Sequence, residues 1–430
     1  MANANTSTRH DVWLAAGLRT PFSKVDGALA ARDAIALSVP VVRAMMDQLG
    51  GAQPDFAVWG SVVPNLTWSN LAREVLMEAG VSPSITAFST VMACSTSMIG
   101  VIEAAGMLNA GNRQLALVGG VESMSRVQIG LGQTLSDWLR KFQKTRSMAD
   151  KLAHIAALKL GDVQLFIPTV TNRTTGKSMG EHTEITAQQW QIPRDAQDQS
   201  AFDSHQRAVA AWERGFFNDL VIAVGEVTRD GIPRKDTTLE KLAKLPPAFD
   251  RSSGKGTLSA GNSSPLTDGA SSIWVATGEG LKKLPAGLPR VRLVDWEIAS
   301  VDFREEGILM APPYAIPRLL ARHGLRYDDI GLWEIHEAFS AQVLFHIKAL
   351  EDETFLRNKA GVTASFGKFP RERINPNGGS VALGHPFGAT GARILSQAVK
   401  ELAAMPSGTR AIVTICADGG QGSVALLQAA

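Results

Sequence analysis

The chain has 430 residues, 45% of them hydrophobic and 20% charged, with a net charge of +2. That length exceeds what one ordinary core organises, so two or three domains are expected. The near-neutral charge excludes nucleic acid as a general partner, and two distant cysteines exclude a disulfide framework.

Residues 1–6 carry no basic segment and no apolar run, and no apolar stretch is long enough to span a membrane. Neither a signal peptide nor a transmembrane helix is therefore expected. A cytosolic or organelle-matrix location is the plain expectation.

Short β-rich runs alternate with amphipathic stretches along the first part of the chain. Residues 11–17 read as a strand, 33–49 as a helix with Ala34, Leu37, Val41, Val42 and Met45 near helical spacing, and 56–60 as a strand. A helix over 70–79, a strand over 85–91, a helix over 95–110 and a strand over 115–120 follow. This alternation predicts an α/β domain with its sheet covered on both faces. Residues 126–247 break the pattern: they are polar and basic, with helical stretches and few strands, and Pro246-Pro247 closes them. They read as an insertion that carries substrate contacts. A strand returns over 270–276.

The second half repeats the plan. Strands are expected over 291–296, 331–335 and 411–415, and helices over 312–323 and 391–403. Residues 331–335 match 57–60, 391–403 match 95–110, and 411–415 match 115–118. Duplication explains this best: two α/β halves about a pseudo-twofold axis, with chemistry where equivalent turns meet. The predicted division is 1–125 plus 248–280 for one half, 126–247 for the insertion and 281–430 for the other half.

The candidate chemistry lies on glycine- or small-residue turns. Cys94, in Thr90-Val91-Met92-Ala93-Cys94-Ser95, precedes a helix whose N-terminus would favour thiolate; a buried structural cysteine is the plainer alternative. His385, in Gly384-His385-Pro386-Phe387-Gly388, occupies the equivalent turn of the second half and would take a proton from a thiol; its alternative is a turn histidine satisfied by backbone. His336-Glu337-Ala338-Phe339 looks like half of a zinc-protease signature, but position 340 is Ser340, so no metal is expected. His336 instead suits a hydrogen bond to a developing oxyanion. Cys416, in Cys416-Ala417-Asp418-Gly419-Gly420, suits a general acid/base beside an anion hole of backbone amides. Gly176-Lys177-Ser178 is not a phosphate loop, because the upstream glycine is replaced by Thr171. His10, His154, His182, His205, His323 and His346 show no ligand spacing.

These four motifs, in this order and over nearly the whole chain, resemble those of the thiolase family. The nearest likeness is to 3-ketoacyl-CoA thiolases of the type that forms the β-subunit of trifunctional fatty-acid oxidation complexes, which carry His in place of Asn before Glu-Ala-Phe. The resemblance implies duplicated α/β halves in five layers (αβαβα) with an inserted loop domain. It also implies an acyltransferase that cleaves 3-ketoacyl-CoA with coenzyme A in fatty-acid β-oxidation. Cys94 would be the nucleophile, His385 the base, Cys416 the acid/base and His336 an oxyanion donor, with the amides of Cys94 and Asp418 at the tetrahedral intermediate. Met179, Arg234, Ser264, Ala338 and Phe339 would contact coenzyme A or substrate. Coenzyme A would be a substrate, with no permanently bound cofactor. Asp418 departs from the family pattern, which has Gly or Ala there. A homodimer or higher oligomer, a hydratase/dehydrogenase α-subunit and a peripheral membrane contact through 131–160 are the partners implied. In that stretch Leu135, Trp138, Leu139 and Phe142 share a helical face flanked by basic residues; an ordinary solvated helix packing Leu and Trp inward is the alternative. Condensation of acetyl-CoA to acetoacetyl-CoA uses the same residues and stays open, as does a non-catalytic acyl-CoA-binding subunit.

Overall fold

The structure is a computed structural model and describes residues 11–430. The readings of residues 1–6 and of His10 lie outside them.

Nine strands form one hydrogen-bonded path. They are β1 (Val12–Arg19), β2 (Phe56–Gly60), β3 (Thr86–Phe88), β4 (Leu115–Glu122), β5 (Thr267–Thr277), β6 (Arg290–Ser300), β7 (Ile330–Ile335), β8 (Arg410–Ala417) and β9 (Gln421–Ala429). Their spatial order is β7-β8-β9-β6-β1-β5-β4-β2-β3. Read outward from the middle, β1-β5-β4-β2 and β6-β9-β8-β7 are the same arrangement. The two halves join where β1 and β6 pair antiparallel, Val12 opposite Leu293 and Ala15 opposite Arg290. Internal duplication is thus visible as a repeated strand order about that pair.

Side-chain alternation with period two assigns the layers. On β1, Leu14 and Ala16 face one core while Ala15 faces another; on β5, Ile273 and Val275 face the first and Trp274 and Ala276 the second. On β8, Ala411 and Val413 again face the first, and Ile412 a third. The shared first core holds α3 (Thr96–Asn109) and a long C-terminal helix (Thr390–Ala403), packed between the two sheet halves. One outer core takes α1 (Ala34–Gln48) and α2 (Leu71–Glu78); the other takes helices Pro312–Arg322 and Ser340–Leu350. The result is the five-layer αβαβα order.

The expected elements hold with shifted ends. Asp33 caps α1 by accepting from the Ala36 amide at 2.8 Å, and Asn70 caps α2 through the Arg73 amide at 3.3 Å. The strand expected over 85–91 shrinks to Thr86–Phe88, because the chain must turn by Met92 toward α3. The strand expected over 291–296 lengthens to Arg290–Ser300, because β6 pairs with both β1 and β9.

Within 126–247, α4 (Gln133–Lys144) and α5 (Met148–Ala156) bury no residue. The stretch read as one amphipathic helix is two, joined by aromatic stacking: Trp138 lies 5.2 Å from Phe142 and 5.1 Å from His154. Trp138 Nε1 donates to the His154 carbonyl at 3.1 Å. Around them Leu152, Ile155, Leu160 and Phe166 remain exposed, Leu160 at 93%. Then come α6 (Met179–Gln189) and α7 (Arg194–Glu213), followed by α8 (Pro312–Arg322), α9 (Ser340–Leu350) and α10 (Thr390–Ala403), the last three being the C-terminal helices named above. Among the described residues no helix is long and apolar enough to cross a membrane.

The α3–α10 contact fixes the distance between the two half-molecules. A Cβ on Gly391 would lie 2.4 Å from the Met98 nitrogen and 2.9 Å from Ser97 Oγ. Ser97 Oγ also accepts from the Ala392 amide at 2.9 Å. Gly391→Ala is therefore expected to destabilise the protein by about 1–3 kcal/mol, the usual cost of overpacking. An unchanged thermal midpoint in that variant would show that the contact is not tight.

Candidate active site

Cys94 and His385 sit on the turns that lead into α3 and α10, and the packing of those helices brings the turns together. Cys94 Sγ, a His336 ring nitrogen and a His385 ring nitrogen all lie within 4.8 Å of one another. The His336 and His385 rings are 4.2 Å apart between centroids. Cys416, at the end of β8, is buried, and its thiol faces Cys94 closely enough for a charge there to oppose its ionisation. All four candidate catalytic side chains thus meet in one site.

The Cys94 turn is strained. Ala93 has φ 44°, a left-handed conformation unfavourable for a residue with a Cβ. Thr96 holds it, its hydroxyl donating to the Ala93 carbonyl at 2.7 Å and accepting from the Met92 amide at 2.9 Å. Ser95, next to Cys94, bonds Ser423 of the other half through its hydroxyl. Sequence reasoning had no signal for this strain.

The His385 turn is tied to the first half by Glu122. That buried carboxylate accepts from the Gly388 amide at 3.0 Å, the Val62 and Val63 amides at 3.0 and 2.9 Å, and the Ser61 hydroxyl at 2.8 Å. Burial pushes its pKa up, and the four donors oppose that rise. Glu122 was not singled out from the sequence, since its partners are distant in the chain.

Hydrogen bonds assign the His385 tautomer. The Thr390 hydroxyl donates to the Pro386 carbonyl at 2.9 Å, so at 2.6 Å it must accept from His385 Nδ1–H. His385 Nε2 is then a bare lone pair, buried and unpartnered. His336 Nε2 is likewise buried and unpartnered. Burial lowers both imidazole pKa values, that of His385 to about 3, so both are neutral at physiological pH.

The thiol is also neutral at rest. Burial, then the Asp418 carboxylate, push the Cys94 pKa up to about 12; Glu122 adds to this, and the amides of Cys94 and Asp418, both directed at the sulfur, only partly oppose it. The expectation of a thiolate stabilised by the α3 N-terminus is corrected: desolvation and two carboxylates outweigh the helix end. Cys94 is half-buried, with protein enclosing most of the sulfur. Cys416 is likewise pushed well above the usual thiol range by burial and by Cys94.

Asp418 is half-buried, its Oδ1 accepting from Asn172 Nδ2 at 3.0 Å and from the Gly419 amide at 2.7 Å. Asn172 Oδ1 in turn accepts from the Thr174 amide at 3.0 Å. A turn within residues 126–247 is thereby pinned to the loop that follows Cys416.

The expected coenzyme A residues divide. Ser264 donates through its hydroxyl to the Ala338 carbonyl at 2.9 Å, and Phe339 packs edge-on against Phe249 at 5.8 Å. Met179 packs against the core that includes Ala338, Phe339 and Cys416. Arg234 is exposed, its amide donating to His205 Nδ1 at 3.3 Å, and nothing among the described residues links it to the others. Glu184 serves structure: it accepts from the Thr257 and Leu258 amides, both at 2.8 Å.

Comparison with known proteins agrees with this geometry. Residues 12–279 match the thiolase N-terminal domain and residues 288–429 the thiolase C-terminal domain. A 3-ketoacyl-CoA thiolase of Yersinia enterocolitica is 36% identical over 424 residues, covering 96% of each chain. The crystal structure of the Ascaris suum thiolase Acat5 in complex with coenzyme A superposes with a TM-score of 0.80 at 28% identity, over 98% of this chain and 100% of that one. The Bacillus anthracis acetyl-CoA acetyltransferase superposes with a TM-score of 0.80 at 30% identity, over 99% and 100%. With two thiols and two neutral imidazoles converging between duplicated halves that these domains cover almost end to end, the chain belongs to the thiolase family.

Proposed function

We propose that the protein is a 3-ketoacyl-CoA thiolase, an acyltransferase that cleaves 3-ketoacyl-CoA with coenzyme A through an acyl-enzyme on Cys94. The observation that carries this is the meeting of a half-buried thiol, a second buried thiol and two unpartnered imidazole nitrogens in one site.

The chemistry follows from the neutral resting state. His385 Nε2 takes the Cys94 proton as the sulfur attacks C3 of the substrate, so charge passes to the carbonyl oxygen and never rests on sulfur. The amides of Cys94 and Asp418 receive that oxyanion. The C2–C3 bond then breaks and acetyl-CoA leaves as an enolate, its oxygen held by His336 Nε2–H and protonated His385. Cys416 gives its proton to the enolate carbon. The resulting Cys416 thiolate takes the proton of an incoming coenzyme A, whose sulfur attacks the acyl-enzyme. Cys94 leaves and recovers its proton from His385, and both thiols return to their starting state.

Met179, Ser264, Ala338 and Phe339 are the proposed lining for the pantetheine and thioester, with Arg234 further out. Residues 126–247 are proposed as the inserted unit. Its exposed Leu152, Ile155, Leu160 and Phe166 support contact with a membrane surface or an α-subunit, and a dimer or higher oligomer is proposed. Because the same groups catalyse condensation, acetoacetyl-CoA formation is the second reading, favoured by the likeness to an acetyl-CoA acetyltransferase. Thiolysis rates across 3-ketoacyl-CoA chain lengths separate the two.

Cys94→Ala is expected to abolish turnover and labelling by acyl-CoA while leaving the thermal midpoint unchanged; normal thiolysis by that variant would end the nucleophile assignment. Cys416→Ser is expected to slow α-proton exchange of acetyl-CoA more than acylation of Cys94, read by isotope uptake against acyl-enzyme formation. Equal effects on both would remove the acid/base role.

The sign of the Cys94 shift gives a further expectation. A raised pKa keeps the thiol protonated, so alkylation of Cys94 by iodoacetamide should climb with pH through pH 9 without a plateau. Asp418, Glu122, His336, His385 and Cys416 are the titratable groups facing it. Asp418→Asn removes one negative charge while keeping an acceptor for Asn172, so alkylation at fixed pH should accelerate, by about tenfold for each unit of lowered pKa. An unchanged alkylation rate in Asp418→Asn would show that the carboxylate does not act on the sulfur.

A further inference from the structure

His336 and His385 have opposite tasks in the proposed reaction, although their rings lie side by side in the same dry site. One must offer a lone pair and the other a proton, both from Nε2. A neutral imidazole carries one N–H, so each ring's task is set by what its Nδ1 meets. For His385 that partner is Thr390. For His336 it is Ser380, whose Oγ lies 2.9 Å from Nδ1.

Ser380 has one proton and is not free to choose where it goes. Arg393 Nη2 donates to Ser380 Oγ at 2.6 Å. Burial lowers the Arg393 pKa to about 10, which still leaves the guanidinium charged at neutral pH. A charge-assisted donor on the Ser380 oxygen leaves its hydroxyl proton to go elsewhere. His336 Nδ1 is the one acceptor within hydrogen-bond distance of that hydroxyl among the described residues.

The short helix that Ser380 opens, Ser380–Leu383, is itself held by the residue after His336. Glu337 accepts from Asn375 Nδ2 at 2.6 Å, from the Ser204 hydroxyl at 2.7 Å and from the Val381 amide at 3.3 Å. A Cβ on Gly379 would lie 2.2 Å from the Glu337 carboxyl carbon, so the approach requires glycine. Ser380, Arg393, His336 and His385 are all buried, and the low local polarity strengthens these bonds.

We propose that Ser380, polarised by Arg393, is a positioning residue that sets His336 as the Nε2–H tautomer and thereby makes it a donor to the enolate oxygen. Thr390 and Arg393 stand three residues apart at the start of α10, on one face of the helix. A single helical turn therefore sets both histidines, directly for His385 and through Ser380 for His336. This inference rests on the proposed role of His336 as oxyanion donor.

The test compares Ser380→Ala, Ser380→Thr and His336→Ala in the full-length protein. Ser380→Ala is expected to lower kcat for thiolysis, and α-proton exchange of acetyl-CoA, by about 10–100-fold, as loss of a supporting hydrogen bond typically does. KM and the Cys94 alkylation rate should change little, and Ser380→Thr, which keeps the hydroxyl, should recover most of the loss. If His336→Ala is impaired while Ser380→Ala is not, the inference fails and the reading of His336 stands. If His336→Ala is itself unimpaired, that reading fails and takes the inference with it. Long-range proton–nitrogen NMR of the unaltered, histidine-labelled protein decides independently of any folding defect in the variants. A His336 ring protonated at Nε2 supports the assignment, and one protonated at Nδ1 overturns it.

Discussion

The site depends on one constraint: α3 and α10 must lie against each other, with almost no space between Gly391 and Met98. Each helix begins at a catalytic turn, so their separation sets the separation of Cys94 from His385. The antiparallel pair of β1 and β6 makes this possible by joining two copies of one strand order back to back. Duplication alone would put equivalent turns at opposite ends of separate domains. Joining the halves through their edge strands β1 and β6 wraps both around a shared helical layer and turns the two helix starts toward each other. Glu122 then carries the tie across, from the end of β4 to the Gly388 amide.

Enclosure by two sheets has an electrostatic consequence. The site is dry enough that charge is disfavoured on every catalytic group: thiols rise and imidazoles fall. A resting thiolate–imidazolium pair between Cys94 and His385 is thus disfavoured. In the proposed reaction, proton transfer and carbon–sulfur bond formation therefore run together, with the charge delivered to an oxygen at the Cys94 and Asp418 amides. The same desolvation strengthens each hydrogen bond aimed at that oxygen, so the low polarity that quiets the thiol also lowers the barrier once a carbonyl arrives.

Much of this was legible in the chain itself. Alternating strands and helices, glycine turns and the match of 331–335 with 57–60 carry the duplicated fold, and the four motifs carry the catalytic side chains. What was not legible is long-range. Glu122 meets Gly388 266 residues away, and Asp418 meets Asn172 246 residues away; no local pattern encodes either. The strain at Ala93 is invisible because alanine is an ordinary residue in an unusual conformation. The thiol's ionisation was misjudged because a helix start is a local feature, whereas desolvation is the sum of everything packed around the sulfur.

Asp418 joins these strands of argument. A carboxylate beside the nucleophile works against thiolate, yet the same residue supplies the amide directed at the sulfur. Its side chain is anchored by Asn172, from a turn within residues 126–247. The catalytic loop is therefore not isolated from the insertion. With aspartate, the insertion and the nucleophile's electrostatics share one side chain.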